Sequence, residues 1–260
     1  MPFELGADMI GQWVGQHLWP LFRIASFMMV IPFIGTQLVP ARIRLGLALL
    51  ITLLVVPLLG DVPRVEALNA EAVVITLQQI LIGIGLGFTL TALFQLFVVA
   101  GQMIASQMGL GFANMADPAN GVTVPVLSQF YSITVTLLYL AMNGHLVAFE
   151  VFLESFRTLP IGVNGLGSEG LWALTHHVSW IFVSAMLLAL PAVTAVLIVN
   201  ISFGVMTRAA PQMNIFALGF PIGLMFGLFS IWVLQANFLP HFQQYAEETF
   251  AFMRQLQGQP

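Results

Sequence analysis

The chain has no cysteine and no lysine, and only 7% of its 260 residues are charged. Without cysteine there is no disulfide framework, no thiolate zinc site and no cysteine nucleophile. The seven basic residues are all arginine, scattered singly or as the pair Arg42 and Arg44, against eleven acids, for a formal net charge of −4. No basic stripe exists for a nucleic-acid backbone. No Lys or Arg precedes Arg23, so the positive n-region of a cleavable leader is missing, and membrane targeting is expected to come from the spans themselves. Soluble domains carry roughly 25% charged residues to hydrate their surface. Here 59% of residues are hydrophobic and the mean hydropathy is +0.96, which rules out disorder and calls for lipid as solvent.

Charges divide such a sequence, because a membrane span needs about 20 mostly apolar residues. The first apolar block runs from Trp13 to Val39, interrupted by Pro20 and Pro32 and carrying Arg23. A second, Leu45 to Gly60, is barely long enough to cross. The polar stretch Asp61 to Glu71 precedes an uncharged run from Ala72 to Ala116, too long for one crossing. Its first part, Val73 to Ala100, reads as helix; from Gly101 to Gly121 glycines, Asn, Asp and Pro accumulate, and the expectation is an irregular segment. The fourth block is Val122 to Phe149, the fifth Leu171 to Thr207 with Pro191 inside it, and the sixth Ile215 to Leu239, followed by a polar tail from His241 to Pro260. The expected fold is therefore an all-α membrane protein of about six hydrophobic helical segments, several kinked or forming hairpins, since helices and closed barrels alone satisfy backbone groups in lipid. Barrel strands of about ten alternating residues are not seen. Arg42, Arg44 and Arg208 fall on one side of a six-span arrangement, which by the positive-inside rule puts the N-terminus outside.

Arg23 stands among ten Leu, Ile, Phe and Val residues between Leu21 and Val39, and one central Arg costs about 2.5–3.5 kcal/mol of insertion. Two readings follow. Either it snorkels from a helix end or faces a neighbouring helix, or it is an inter-subunit or pore-lining intramembrane charge. Gly83 and Gly87 are four apart, as are Gly219, Gly223 and Gly227 around Pro221; on helices each set shares a face and permits close helix packing. No strand precedes the first set and its spacing is wrong for a nucleotide loop. The adjacent His176 and His177 point to different helix faces, so no metal pair is expected. Glu150, Glu154 and Arg157 have the i, i+4 and i, i+3 spacings of a solvated ion pair.

No carboxylate lies between Ala72 and Ala116, between Gly170 and Thr207 or in the sixth block, which argues against an ion-coupled permease. Nor do Ser with His, or paired Asp, recur at a spacing that an intramembrane hydrolase would need. No catalytic residue, metal or cofactor is expected. The most informative stretch comprises Gln107, Met108, Gly109, Leu110, Gly111, Phe112, Ala113, Asn114, Met115, Ala116, Asp117, Pro118, Ala119, Asn120 and Gly121. Its flexible thioethers fill irregular gaps and its glycines allow sharp turns. Irregular backbone at membrane depth is tolerated only inside protein or beside a water-filled cavity. The stretch is therefore either an ordinary extramembrane loop or a constriction in a protein-lined passage.

The run Gln102 to Pro125, Asn143-Gly144-His145, Thr158-Leu159-Pro160-Ile161-Gly162, Ala189-Leu190-Pro191, Arg208-Ala209-Ala210-Pro211-Gln212 and Gly219-Phe220-Pro221, in that order, resembles the FliR family of flagellar biosynthesis proteins. The resemblance covers almost the whole chain and extends to the family's virulence-secretion homologues. It implies a non-enzymatic subunit of the type III export gate in the bacterial inner membrane at the flagellar basal body. One copy would join several FliP and FliQ subunits, with FlhB and FlhA alongside, and unfolded polypeptides would pass through. By the same resemblance residues 1 to about 165 form a FliP-like part and about 166 to 260 a FliQ-like hairpin, while Gln107 to Gly121 form a pore plug with Met108, Phe112 and Met115 as gap-filling contacts. A small-solute permease with broken helices and a purely structural membrane scaffold are the rival readings.

Overall fold

A computed structural model describes residues 7–36, 39–59, 69–110, 125–209 and 215–259, with their side chains except at 7–14 and 215–218. All regular structure among them is helical: α1 (Ala7–Val30), α2 (Ala41–Val55) extended by a 3-10 turn (Val56–Leu58), α3 (Ala70–Gln107), α4 (Val126–Ala141), α5 (Gly144–Thr158), α6 (Ser168–Ala209), α7 (Ile215–Leu234), a second 3-10 turn (Gln235–Asn237) and α8 (Phe238–Leu256). Helices close their backbone hydrogen bonds within one segment, as lipid requires. Four stretches are long and apolar enough to cross a membrane: Ala41–Leu58, Ala70–Gln107, Ser168–Ala209 and Gly219–Leu256. α4 and α5 are long and apolar enough only when taken together as one broken stretch.

Three features depart from the reading of local composition. Gly101 does not interrupt the third block, and α3 continues to Gln107. A Cβ at Gly101 would lie 2.8 Å from Ser128 Cα and 3.0 Å from Ser128 N, so this glycine admits the backbone of α4. The fourth block is two helices, because Asn143 takes φ +56° and breaks the run between α4 and α5. The polar tail is largely the 19-residue helix α8. Its buried positions Phe238, Phe242, Tyr245, Ala246, Thr249, Met253 and Leu256 recur at helical spacing, while Gln243, Glu247, Arg254 and Gln255 face out.

The chain forms two compact units. One holds Met1–Ala92, His145–His177 and Glu248–Pro260. In it Phe27 of α1 stacks on Phe152 of α5 at 4.0 Å, and Thr91 Oγ1 of α3 donates to the Val30 carbonyl at the end of α1, 2.7 Å away. Gln257, just past α8, donates from Nε2 to the Val151 carbonyl and accepts from Thr158 Oγ1, tying the chain's last helix to α5. The other unit holds Leu93–Gly144 and Val178–Glu247. Its core gathers around Phe97 of α3, whose ring lies 5.3 Å from Phe238 and 6.0 Å from both Phe242 and Tyr245. Ser128 Oγ of α4 donates to the Val98 carbonyl of α3 at 3.0 Å. Full burial of such a ring contributes about 1.5–3 kcal/mol.

Candidate functional site

The singled-out stretch begins at the end of α3. Gly109 has φ +80°, Leu110 N donates to the Ala105 carbonyl at 3.0 Å, and Gly109 N donates to the Ser106 carbonyl at 3.1 Å. These two bonds are a Schellman motif, with glycine in the left-handed position that closes a helix. Gln107 is thus the last residue of α3, and Met108, Gly109 and Leu110 make its stop. Met108 is buried, with 3% exposure. Gly111, Phe112, Ala113, Asn114, Met115, Ala116, Asp117, Pro118, Ala119, Asn120 and Gly121 lie outside the described residues.

Gly219, Gly223 and Gly227 lie along the buried stripe of α7, which Ile231 continues at the same four-residue step. Pro221, off that stripe, is exposed. A Cβ at Gly227 would fall 2.6 Å from Met108 Sδ and Cε, so the thioether occupies the space that the missing side chain leaves. Gly223 sits opposite Asn200 of α6, whose Nδ2 donates to the Gln107 carbonyl at 3.2 Å. In the other unit Gly83 and Gly87 admit α1. A Cβ at Gly83 would meet Ser26 Oγ and the Arg23 carbonyl, and one at Gly87 would lie 3.0 Å from Val30 Cβ and 3.1 Å from the Phe27 carbonyl.

Arg23 is fully buried. Its Nε donates to Gln79 Oε1 of α3 at 2.8 Å, Nη1 to the carbonyl and hydroxyl of Ser155 at 2.9 and 3.3 Å, and Nη2 to the Leu159 carbonyl at 2.8 Å. Its Cζ stands 4.4 Å over the Phe156 ring. The planar fork of the guanidinium reaches several acceptors at once, and its charge meets the negative end of the α5 dipole. These partners are neutral oxygens and an aromatic face, which bind a cation by dipole and quadrupole rather than by a counter-ion.

Elsewhere His177 is buried and stacks on Phe252 at 4.0 Å, while His176 Nδ1 lies 3.0 Å from the Trp172 carbonyl. Glu150, Glu154 and Arg157 line a cavity of about 340 Å³ with Val55, Leu58, Leu59, Leu153 and Phe156. No group of three or more His, Asp or Glu residues is placed to hold a metal among the described residues. Sequence reasoning missed Asn200, Gln79 and Ser155. They are ordinary polar residues at helix positions, and their roles come from partners 56 to 132 residues away.

Helices of spanning length, closed on one another through glycine faces and capped carbonyls, define a multi-pass α-helical membrane protein. Residues 14–249 match the family model described as bacterial export proteins, family 1. The chain is 39% identical over 241 residues to the flagellar biosynthetic protein FliR of Escherichia coli K12, covering 92% of this chain and 90% of that one. It is 37% identical to the protein of the same name from Pectobacterium carotovorum over 94% and 91% of the two chains, and 32% identical to that of Aquifex aeolicus over 86% and 88%. The chain belongs to this family of bacterial export proteins.

Proposed function

We propose that the chain is a subunit of the flagellar type III protein export gate. One copy joins FliP and FliQ in the inner membrane at the basal body, with FlhB and FlhA alongside, to form the passage through which unfolded flagellar proteins leave the cell. The reading is carried by the near end-to-end likeness to proteins named flagellar biosynthetic protein FliR. That name favours the flagellar system over a virulence one. In this reading residues 1 to about 165 form the FliP-like part and about 166 to 260 the FliQ-like hairpin. The subunit is not an enzyme; it holds the passage in shape, and the stretch from Gln107 to Gly121 closes it, with Met108, Phe112 and Met115 as its packing groups. Exposed apolar faces on α2, α6 and α7 support an assembly, since they are available to other membrane subunits.

Co-expression with FliP and FliQ, followed by purification and imaging, tests the assembly: a joint complex is expected, and a chain that ignores both partners defeats the reading. Within that complex, deleting Leu110 to Asn120 is expected to raise the ion conductance of the membrane. Unchanged conductance would count against the closing role.

A further inference from the structure

We propose that Asn200 on α6 and Gly227 on α7 are positioning residues that fix the C-terminal end of α3. A helix end leaves its last carbonyls without intrahelical donors. Here the Schellman motif uses two of them, since Ala105 O accepts from Leu110 N and Ser106 O from Gly109 N. The next carbonyl, that of Gln107, takes its hydrogen from Asn200 Nδ2 at 3.2 Å. The residue after it, Met108, turns its side chain into the place where Gly227 has no Cβ, with Sδ and Cε 2.6 Å from where that atom would be. One polar and one apolar lock, from two helices more than 90 residues away in sequence, thus hold adjacent residues of the same turn.

Gly223, one turn before Gly227, completes the arrangement. A Cβ there would lie 3.6 Å from Asn200 Oδ1, an ordinary contact, so Asn200 lies along the same glycine face that receives Met108. The close helix approach and the hydrogen bond reinforce each other: drawing α7 away would free Met108, and turning Asn200 away would leave the Gln107 carbonyl without that donor. The direction in which the chain leaves α3 at Leu110 is therefore set by α6 and α7 as well as by the local motif. The consequence for export rests on the export-gate reading above, whereas the geometry does not.

The test uses the full-length chain co-expressed with its export-apparatus partners and extracted in detergent. Hydrogen exchange at the amides of Gly109 and Leu110 reports whether the helix stop is formed. In Asn200→Ala, exchange at these amides is expected to be about three- to tenfold faster, the worth of roughly one hydrogen bond. Gly227→Ala, which drives a methyl into Met108, is expected to speed it by a similar factor, and so is Met108→Ala, which empties the place opposite Gly227. Gly204→Ala on α6, with nothing within 4 Å of the new carbon, is the control and leaves exchange unchanged. If Gly227→Ala does not accumulate in membranes, Asn200→Ala, which adds no volume, carries the test. Unchanged exchange in Asn200→Ala and Met108→Ala overturns the proposal. Faster exchange with normal secretion of a flagellar substrate upholds the positioning and counts instead against a role of this helix end in export.

Discussion

Arg23 is an ion kept in an apolar interior by neutral partners. The isolated cost of burying a charge is large, so such a group persists only when its hydrogen-bonding capacity is met. Gln79, Ser155 and Leu159 meet it, and Phe156 covers one face of the fork. Replacing Arg23 by Met keeps much of the volume but strands those acceptors, and the expected loss is about 3–5 kcal/mol of stability. Arg23→Lys keeps the charge without the fork and is expected to lose about half as much. Thermal unfolding of the detergent-solubilised protein checks both, and equal melting temperatures for the three proteins would refute the account. The sequence marks this residue as costly, because an arginine among so many apolar neighbours has to be explained. Its partners are not legible there: they lie 56, 132 and 136 residues away and are common residue types.

Among the helices, glycine is the informative residue, and its meaning depends on what stands opposite. Gly83 and Gly46 both lie inside helices, yet a Cβ at Gly83 would strike the α1 backbone while one at Gly46 would meet nothing within 4 Å. Gly83→Ala is therefore expected to destabilise by about 1–3 kcal/mol, through forced separation of α1 and α3. Gly46→Ala should be neutral or stabilise by up to about 1 kcal/mol, through lower backbone entropy in the unfolded chain. Melting curves of the two variants side by side decide it, and a loss at Gly46 matching that at Gly83 would sink the argument. The periodicity of Gly219, Gly223 and Gly227 is visible in sequence, but Gly101 looks like a helix breaker and only its proximity to Ser128 gives it another role. The stop at Gly109 was in principle readable, since a glycine followed by Leu after an apolar helix is a Schellman signature. The surrounding density of turn formers hid it. In α8 the spacing from Phe238 to Leu256 carries a helical period that its charges and glutamines mask.

For the whole molecule the decisive quantity is apolar surface left open. On α2 only Ala48, Thr52 and Val55 are buried, and Leu54 is 73% exposed. On α7 the glycine stripe is buried and Trp232 is 72% exposed. α2 and α7 each bury one narrow stripe and cannot shield their own apolar faces, so lipid or other subunits must cover them. The chain purified alone in detergent is accordingly expected to melt lower and aggregate sooner than the same chain purified with FliP and FliQ; identical melting and monodispersity in both would oppose it. The amino-acid sequence by itself determined the solvent, the helical class and the approximate number of apolar segments, because hydropathy and helical periodicity are local sums over neighbouring residues. It also carried the family, through motifs kept in order. Tertiary structure alone decided which glycines are sockets, which carbonyls need a donor and how Arg23 is satisfied, because each of these depends on an atom brought close from a distant part of the chain.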